Sequence, residues 1–257
     1  MNLTLLKLIL TPALIGLASL AGRKWGHAVS GWIVALPLTT GPIVFFLALS
    51  HGPAFAADTT AGILTGCFSL VGFTMVYSRL ALRWNWLPTL AVSSLAFFVM
   101  TALLRNVQLP LLLLWLGVVA ALLVALRILP RPTASPAPAP ELPGLWDIPL
   151  RMAIATGFVL LITSLAPAVG PHLAGLLVPF PLFTATLAVF AQQQSGAAAA
   201  VSVLRGLLLG LFSYASFMCT LALLLVPAGL LAAFASALLV VFAFQSLTLR
   251  LLHPGIR

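Results

Sequence analysis

Two prolines, Pro37 and Pro181, interrupt long apolar stretches 144 residues apart, and the sequence around one aligns with the sequence around the other without a gap. The run GWIVALPLTTGPIVFF (31–46) lies over GLLVPFPLFTATLAVF (175–190). From 26–73 against 170–217, about a third of the positions are identical. The shared ones include Gly26/Gly170, Gly31/Gly175, Pro37/Pro181, Leu38/Leu182, Thr40/Thr184, Gly52/Gly196, Gly62/Gly206, Gly66/Gly210 and Ser69/Ser213. In so apolar a chain, leucine and alanine coincidences arise by chance, whereas matched glycines, prolines and a threonine do not. The chain reads as a duplicated membrane protein with a helix breaker at the same mid-membrane position in each half. Such a pattern points to a binding site where two interrupted helices meet.

Composition restricts the alternatives. Residues are 62% hydrophobic and 6% charged, with a mean hydropathy of +1.21, outside the range of soluble globular domains. The net charge of +9 does not imply nucleic acid, because no basic stripe with interleaved aromatics exists. The basic residues fall at the ends of apolar runs, where they set membrane topology.

Apolar runs of roughly 20 residues, each long enough for a ~30 Å hydrocarbon core, predict an all-α polytopic bundle of about nine spans. They cover 3–22, 28–50, 54–80, 86–104, 109–129, 148–167, 172–192, 196–225 and 228–249. The first resembles a signal peptide, but the repeat offset places Lys7 over Arg151, and a cleaved leader has no reason to recur mid-chain. With the N-terminus outside and the C-terminus cytoplasmic, the inner side collects Arg23, Lys24, Arg79, Arg83, Arg127, Arg131, Arg151, Arg250 and Arg257. The outside keeps Lys7 and Arg105. Five spans (1–129) then precede the second repeat (147–257, about four spans), so the repeats are expected to be inverted. Between them, 130–146 is dense in proline and alanine and reads as an extended cytoplasmic linker.

The broken spans carry the strongest functional signal. A proline removes a backbone donor and disrupts the preceding turn, and in a bilayer the freed groups must be protein-buried or water-lined. Pro37, Thr39, Thr40 and Gly41 in one half, with Pro181, Thr184 and Thr186 in the other, are the candidate solute-binding residues. Arg205, inside a span, joins them as an anion-recognition or gating residue, because a charge at that depth needs a cavity or a partner. Asp58 lies roughly 10 Å from it in depth by the helical rise, which disfavours direct pairing. His51 and Asp58 form a possible outward-facing proton relay; a loop histidine and a helix-start aspartate are the plainer alternative.

Gly62/Gly66 and Gly206/Gly210 have the spacing that lets helix backbones approach, and read as packing motifs. Cys67 and Cys219 lack any metal-ligand spacing, and Trp84 and Trp86 read as interfacial anchors. No nucleophile–base constellation, phosphate loop or dinucleotide fingerprint appears, so neither an enzyme, a metal site nor a cofactor is expected.

The run AGLLVPFPLF (174–183), followed by Gly196 and the Tyr214 region, resembles the small GlpM-type bacterial inner-membrane proteins, and is echoed weakly at 31–40. Gln192, Gln193 and Gln194 stand near where that family carries a histidine. The resemblance implies a bacterial inner-membrane location and no particular activity. Two functions are therefore expected. One is a secondary transporter of a neutral or anionic small solute. The other is a non-transporting scaffold or accessory subunit of envelope or lipid metabolism, whose partners are the bilayer and another membrane protein or a second copy.

Overall fold

A computed structural model describes residues 5–13, 37, 39–130 and 147–252, and among these every regular element is a helix. The helices are α1 (residues 5–13), α2 (Thr40–His51), α3 (Pro53–Leu80), α4 (Trp86–Leu104), α5 (Leu111–Ile128), α6 (Asp147–Val169), α7 (Pro171–Leu177), α8 (Leu182–Ser195), α9 (Ala197–Leu224) and α10 (Gly229–Leu252). The linker at 131–146 and the part of the second predicted span before Pro37 lie outside the described residues, as do Arg23 and Lys24.

Among the described residues five helices, four of them whole elements and the fifth the Met152–Val169 part of α6, are long and apolar enough to cross a membrane. The sequence reading has about nine. The difference has identifiable sources. The span expected over 172–192 is two helices, α7 and α8, of 7 and 14 residues, neither long enough alone. The described part of the span over 28–50 is essentially the 12-residue α2. Over 172–192 the prolines at Pro179 and Pro181 divide what composition alone reads as one continuous helix.

Gly52 and Gly196 separate α2 from α3 and α8 from α9, with φ of 91° and 84°. Backbone there is left-handed, which glycine adopts without a Cβ clash. Pro53 then occupies the first turn of α3, where a missing N–H costs no hydrogen bond. After these matched turns α3 and α9 are each 28 residues long. The two breaks match as well: Gly41 N–H donates to Pro37 O and Ala185 N–H to Pro181 O, both at 2.7 Å.

α3 is the central helix. Of its most apolar window 67% is buried, against 22% for α4 and for α5, whose outer faces carry exposed leucines and valines. It packs on α2, α4, α5, α7 and α9, while α9 also receives α5, α8 and α10. Hydrophobic burial does not drive helix pairing in lipid, so close backbone approach and interhelical hydrogen bonds hold such a bundle. Both occur here. Thr101 donates to Ser69 at 3.0 Å (α4 to α3), and the Trp115 indole donates to Ser216 at 3.3 Å (α5 to α9). Phe68 of α3 lies 3.1 Å from where a Cβ on Gly117 would be, so α5 can come no closer with a side chain there.

The two glycine pairs expected to serve packing do not behave alike. Gly62 and Gly66 of α3 are buried, whereas on α9 Gly206 is exposed and Gly210 only half-buried. The expectation that Gly206 and Gly210 form a helix-packing motif is therefore corrected. The reason lies in the helical turn: α9 buries Leu204, Leu208 and Leu211. Gly206 and Gly210 each follow one of those leucines by two residues, which places them roughly 200° round the helix, away from the buried stripe.

Gln192, near the end of α8, accepts from the Tyr77 hydroxyl at 2.9 Å and donates to Trp84 O at 2.9 Å, with a longer contact to Ala81 O at 3.4 Å. The end of α8 is therefore tied to the end of α3. Because α9 starts just beyond Gly196, it begins beside the end of α3 and runs back along it in the opposite direction.

Candidate functional site

The second break is built by Val178–Pro181. Two prolines remove two backbone donors, so fewer groups need partners in the unwound stretch. Phe180 N–H donates to Leu177 O at 3.1 Å and Leu182 N–H to Phe180 O at 2.8 Å, closing a three-residue turn about Pro181. Phe180 stacks on Phe98 and meets Phe97 edge-on, with centroids 5.3 and 5.2 Å away, so α4 grips the break from the side. On the other side lies α3. A Cβ on Gly66 would meet Leu176 O at 2.8 Å and the Pro179 ring at 2.9 Å. A Cβ on Gly62 would collide with the His172 carbonyl, and one on Gly175 with the Thr59 carbonyl. Here α3 and α7 touch backbone to backbone, which no residue larger than glycine permits.

The first break is built differently. Pro37, Thr40, Gly41 and Pro42 are buried and Thr39 is half-buried. Thr40 shares a side-chain hydrogen bond with Tyr214 of α9. Gly41 is buried, and among the described residues no atom lies within 4 Å of where its Cβ would be. The aligned residue of the second break, Ala185, carries a methyl group in a buried position.

The predicted solute-binding residues sit in different surroundings at the two breaks. Each break is held by the long helix of the other half: Thr40 by Tyr214 of α9, Pro179 by Gly66 of α3. Among the second group Pro181 is buried and Thr184 half-buried. Thr186 is exposed, and its hydroxyl donates to its own helix at Leu182 O, 2.7 Å away. Arg205 is half-exposed on α9 with no hydrogen bond or ion pair among the described residues. With α3 and α9 running in opposite directions, Asp58 and Arg205 differ by roughly 20 Å in depth at the helical rise, about twice the expected separation, because that expectation lacked the register set by Gln192.

His51 is exposed and packs on Phe55, ring centroids 4.9 Å apart. The imidazole on which the Asp58 charge acts is that of His172, at the start of α7. His172 Nε2 is buried and without a hydrogen-bond partner. Cys67 and Cys219 are free. Among the described residues no group of three histidine, cysteine or carboxylate side chains is placed to hold a metal ion.

Sequence reasoning missed Tyr77, Gln192, Tyr214 and His172. His172 and Tyr214 are polar groups within apolar spans and Gln192 and Tyr77 lie where such spans meet polar residues, and each in hydrocarbon needs a partner. That is a signal of position, but it does not identify the partner. No protein-family model matches this chain, and neither the curated proteins nor the solved structures contain a match.

Proposed function

We propose that the chain is a small secondary transporter in a bacterial inner membrane, taking a neutral or anionic solute beside the first proline break. The observation that carries this reading is the buried polar pair at the first break, the Thr40 and Tyr214 hydroxyls beside Pro37 and Gly41. Backbone freed by Pro37 and a threonine–tyrosine pair together offer hydrogen bonds to a polar solute. An inverted repeat is the architecture proposed with it. In support, α3 and α9 have matched lengths and starts, and run in opposite directions past one another. Rocking of one half against the other about these helices would expose the break alternately to each side.

Melting curves of the detergent-purified protein with pooled carboxylates, amino acids and sugars test this, beside Thr40→Val, which removes the hydroxyl at the break. The expected result is a melt raised by one pool in the native protein and not in Thr40→Val. At 100 times the dissociation constant a solute stabilises by about 2.7 kcal/mol, well within reach of a melt. No shift with any pool would remove the transporter reading.

A scaffold is the second reading, favoured by the packing at the other break. Phe180 is clasped by Phe97 and Phe98, and α7 is pressed against the glycines of α3. That break has the packing of a fixed structural joint. Stabilisation by a co-purifying membrane protein alone would support it.

A further inference from the structure

Lys7 is half-buried against the bundle and, among the described residues, has no carboxylate partner. Its ammonium donates to Thr163 Oγ1 of α6 at 3.0 Å and stands 5.8 Å from the centre of the Phe46 ring of α2. Phe46 is fully buried and Thr163 nearly so. Thr163 precedes the end of α6 by six residues and Phe46 that of α2 by five. At the helical rise the ammonium is therefore ~8 Å inside the helix ends. A cation at that depth calls for a countercharge or a wet cavity.

The chain has three acidic residues. Asp147 begins α6, ~24 Å along the axis from Thr163. Asp58 is exposed on α3 and its charge acts on His172. Glu141 lies outside the described residues. Among the described residues Lys7 has no ion pair.

A second observation points to the same place. Thr11 follows Lys7 by one helical turn and so shares its face of α1. Its residue exposure is 0%, and its hydroxyl is buried with no hydrogen-bond partner. Thr59, Thr74 and Thr163 donate back to the preceding turn, to Phe55 O, Leu70 O and Val159 O, whereas Thr89 of α4 shares the unpartnered state of Thr11 but has no cation one turn away. The Thr11 donor is unused, and an unpaired buried hydroxyl destabilises a fold. The Thr163 proton is committed to Val159 O, which leaves its oxygen to accept from Lys7 and leaves two N–H bonds of the ammonium unassigned.

We propose that Lys7 and Thr11 bind a compact monoanion, a halide or the carboxylate of a small acid, between α1, α2 and α6. The ammonium supplies charge and N–H donors, Thr11 supplies its O–H, and Phe46 closes one side. This site is separate from the Thr40–Tyr214 pair and does not require that the protein transports anything.

The test is a melt of the full chain in detergent, titrated with chloride and, separately, with acetate. A bulky sulfonate holds the ionic strength constant. A saturable rise is expected with at least one of the two anions, and which one responds separates a halide site from a carboxylate site. Thr11→Val removes the hydroxyl and keeps the shape. It should abolish the rise while its melt in sulfonate alone equals or exceeds that of the native protein. Lys7→Met should also lose the rise, and Arg105→Met should keep it. If Lys7→Met does not fold, Thr11→Val still decides. A native protein unresponsive to both anions would overturn the proposal, as would a rise that survives Thr11→Val. A sulfonate-only melt lowered in Thr11→Val would mean the hydroxyl already has a protein partner, and would overturn it too.

Discussion

The two glycine pairs, Gly62/Gly66 on α3 and Gly206/Gly210 on α9, are the same in sequence and different in setting. On α3 both glycines are buried and faced by α7 and the break after it, at distances no Cβ tolerates. On α9 Gly210 is half-buried and Gly206 exposed, and a Cβ on Gly206 would meet nothing within 4 Å. A GxxxG spacing therefore marks a surface able to receive a backbone, and whether one has arrived is settled by the neighbouring elements. The largest effect follows from this contrast. Gly62→Ala and Gly175→Ala should each cost about 3 kcal/mol, the upper end for overpacking, since backbone and not a movable side chain is in the way. Gly206→Ala should be neutral or stabilising by up to about 1 kcal/mol from helix propensity. Denaturant melts of the three variants measure both. Equal losses at Gly62 and Gly206 would mean the α9 face is covered in the membrane as the α3 face is.

A second contrast separates the polar cross-links of the halves. Gln192 joins α8 to Tyr77 and to the turn after α3, whereas its repeat counterpart is Ala48 and that of Tyr77 is Leu221. The aligned positions therefore carry no such bond. Gln192→Leu leaves the Tyr77 hydroxyl unpaired on a residue with no exposure, which should cost about 2 kcal/mol. Tyr77→Phe should cost about 1 kcal/mol, and adding it to Gln192→Leu should recover part of the loss, because removing both partners leaves nothing unpaired. A double-mutant cycle by thermal melt reads the coupling. Additive losses would show that the two side chains do not hold α3 and α8 together.

These contrasts also mark what was legible beforehand. Helical class, several apolar spans and the break at Pro181 followed from that proline and from hydropathy, because a missing N–H acts locally. Which long helix each break leans on was not legible, since Tyr214 and Gly66 are far away in sequence. The action of the Asp58 charge on His172 was hidden for the same reason, because it needs α7 to lie against α3. The exposure of Gly206 was of another kind, since the leucines flanking it already outlined a buried stripe on the opposite face. The division of the run over 172–192 into α7 and α8 was missed because composition does not register a change of direction.

The smallest expected effect distinguishes the two breaks from each other. Thr40 is buried and hydrogen-bonded to Tyr214, while its counterpart Thr184 is half-buried and makes no side-chain bond among the described residues. Thr40→Val keeps the shape and removes one hydroxyl, so it should destabilise by about 1 kcal/mol, the net worth of one hydrogen bond. Tyr214→Phe should cost about as much, and the pair together little more than either alone. Thr184→Val should change stability by less than about 0.5 kcal/mol, as for a site away from any special contact. The order of the two threonine variants is what matters. If Thr184→Val costs more, the second break carries the polar contact that anchors its half, and the first loses its claim to be the place where a solute finds hydrogen bonds. If Thr40→Val costs more, the first break has the fixed donor–acceptor pair that a site for a small polar solute needs.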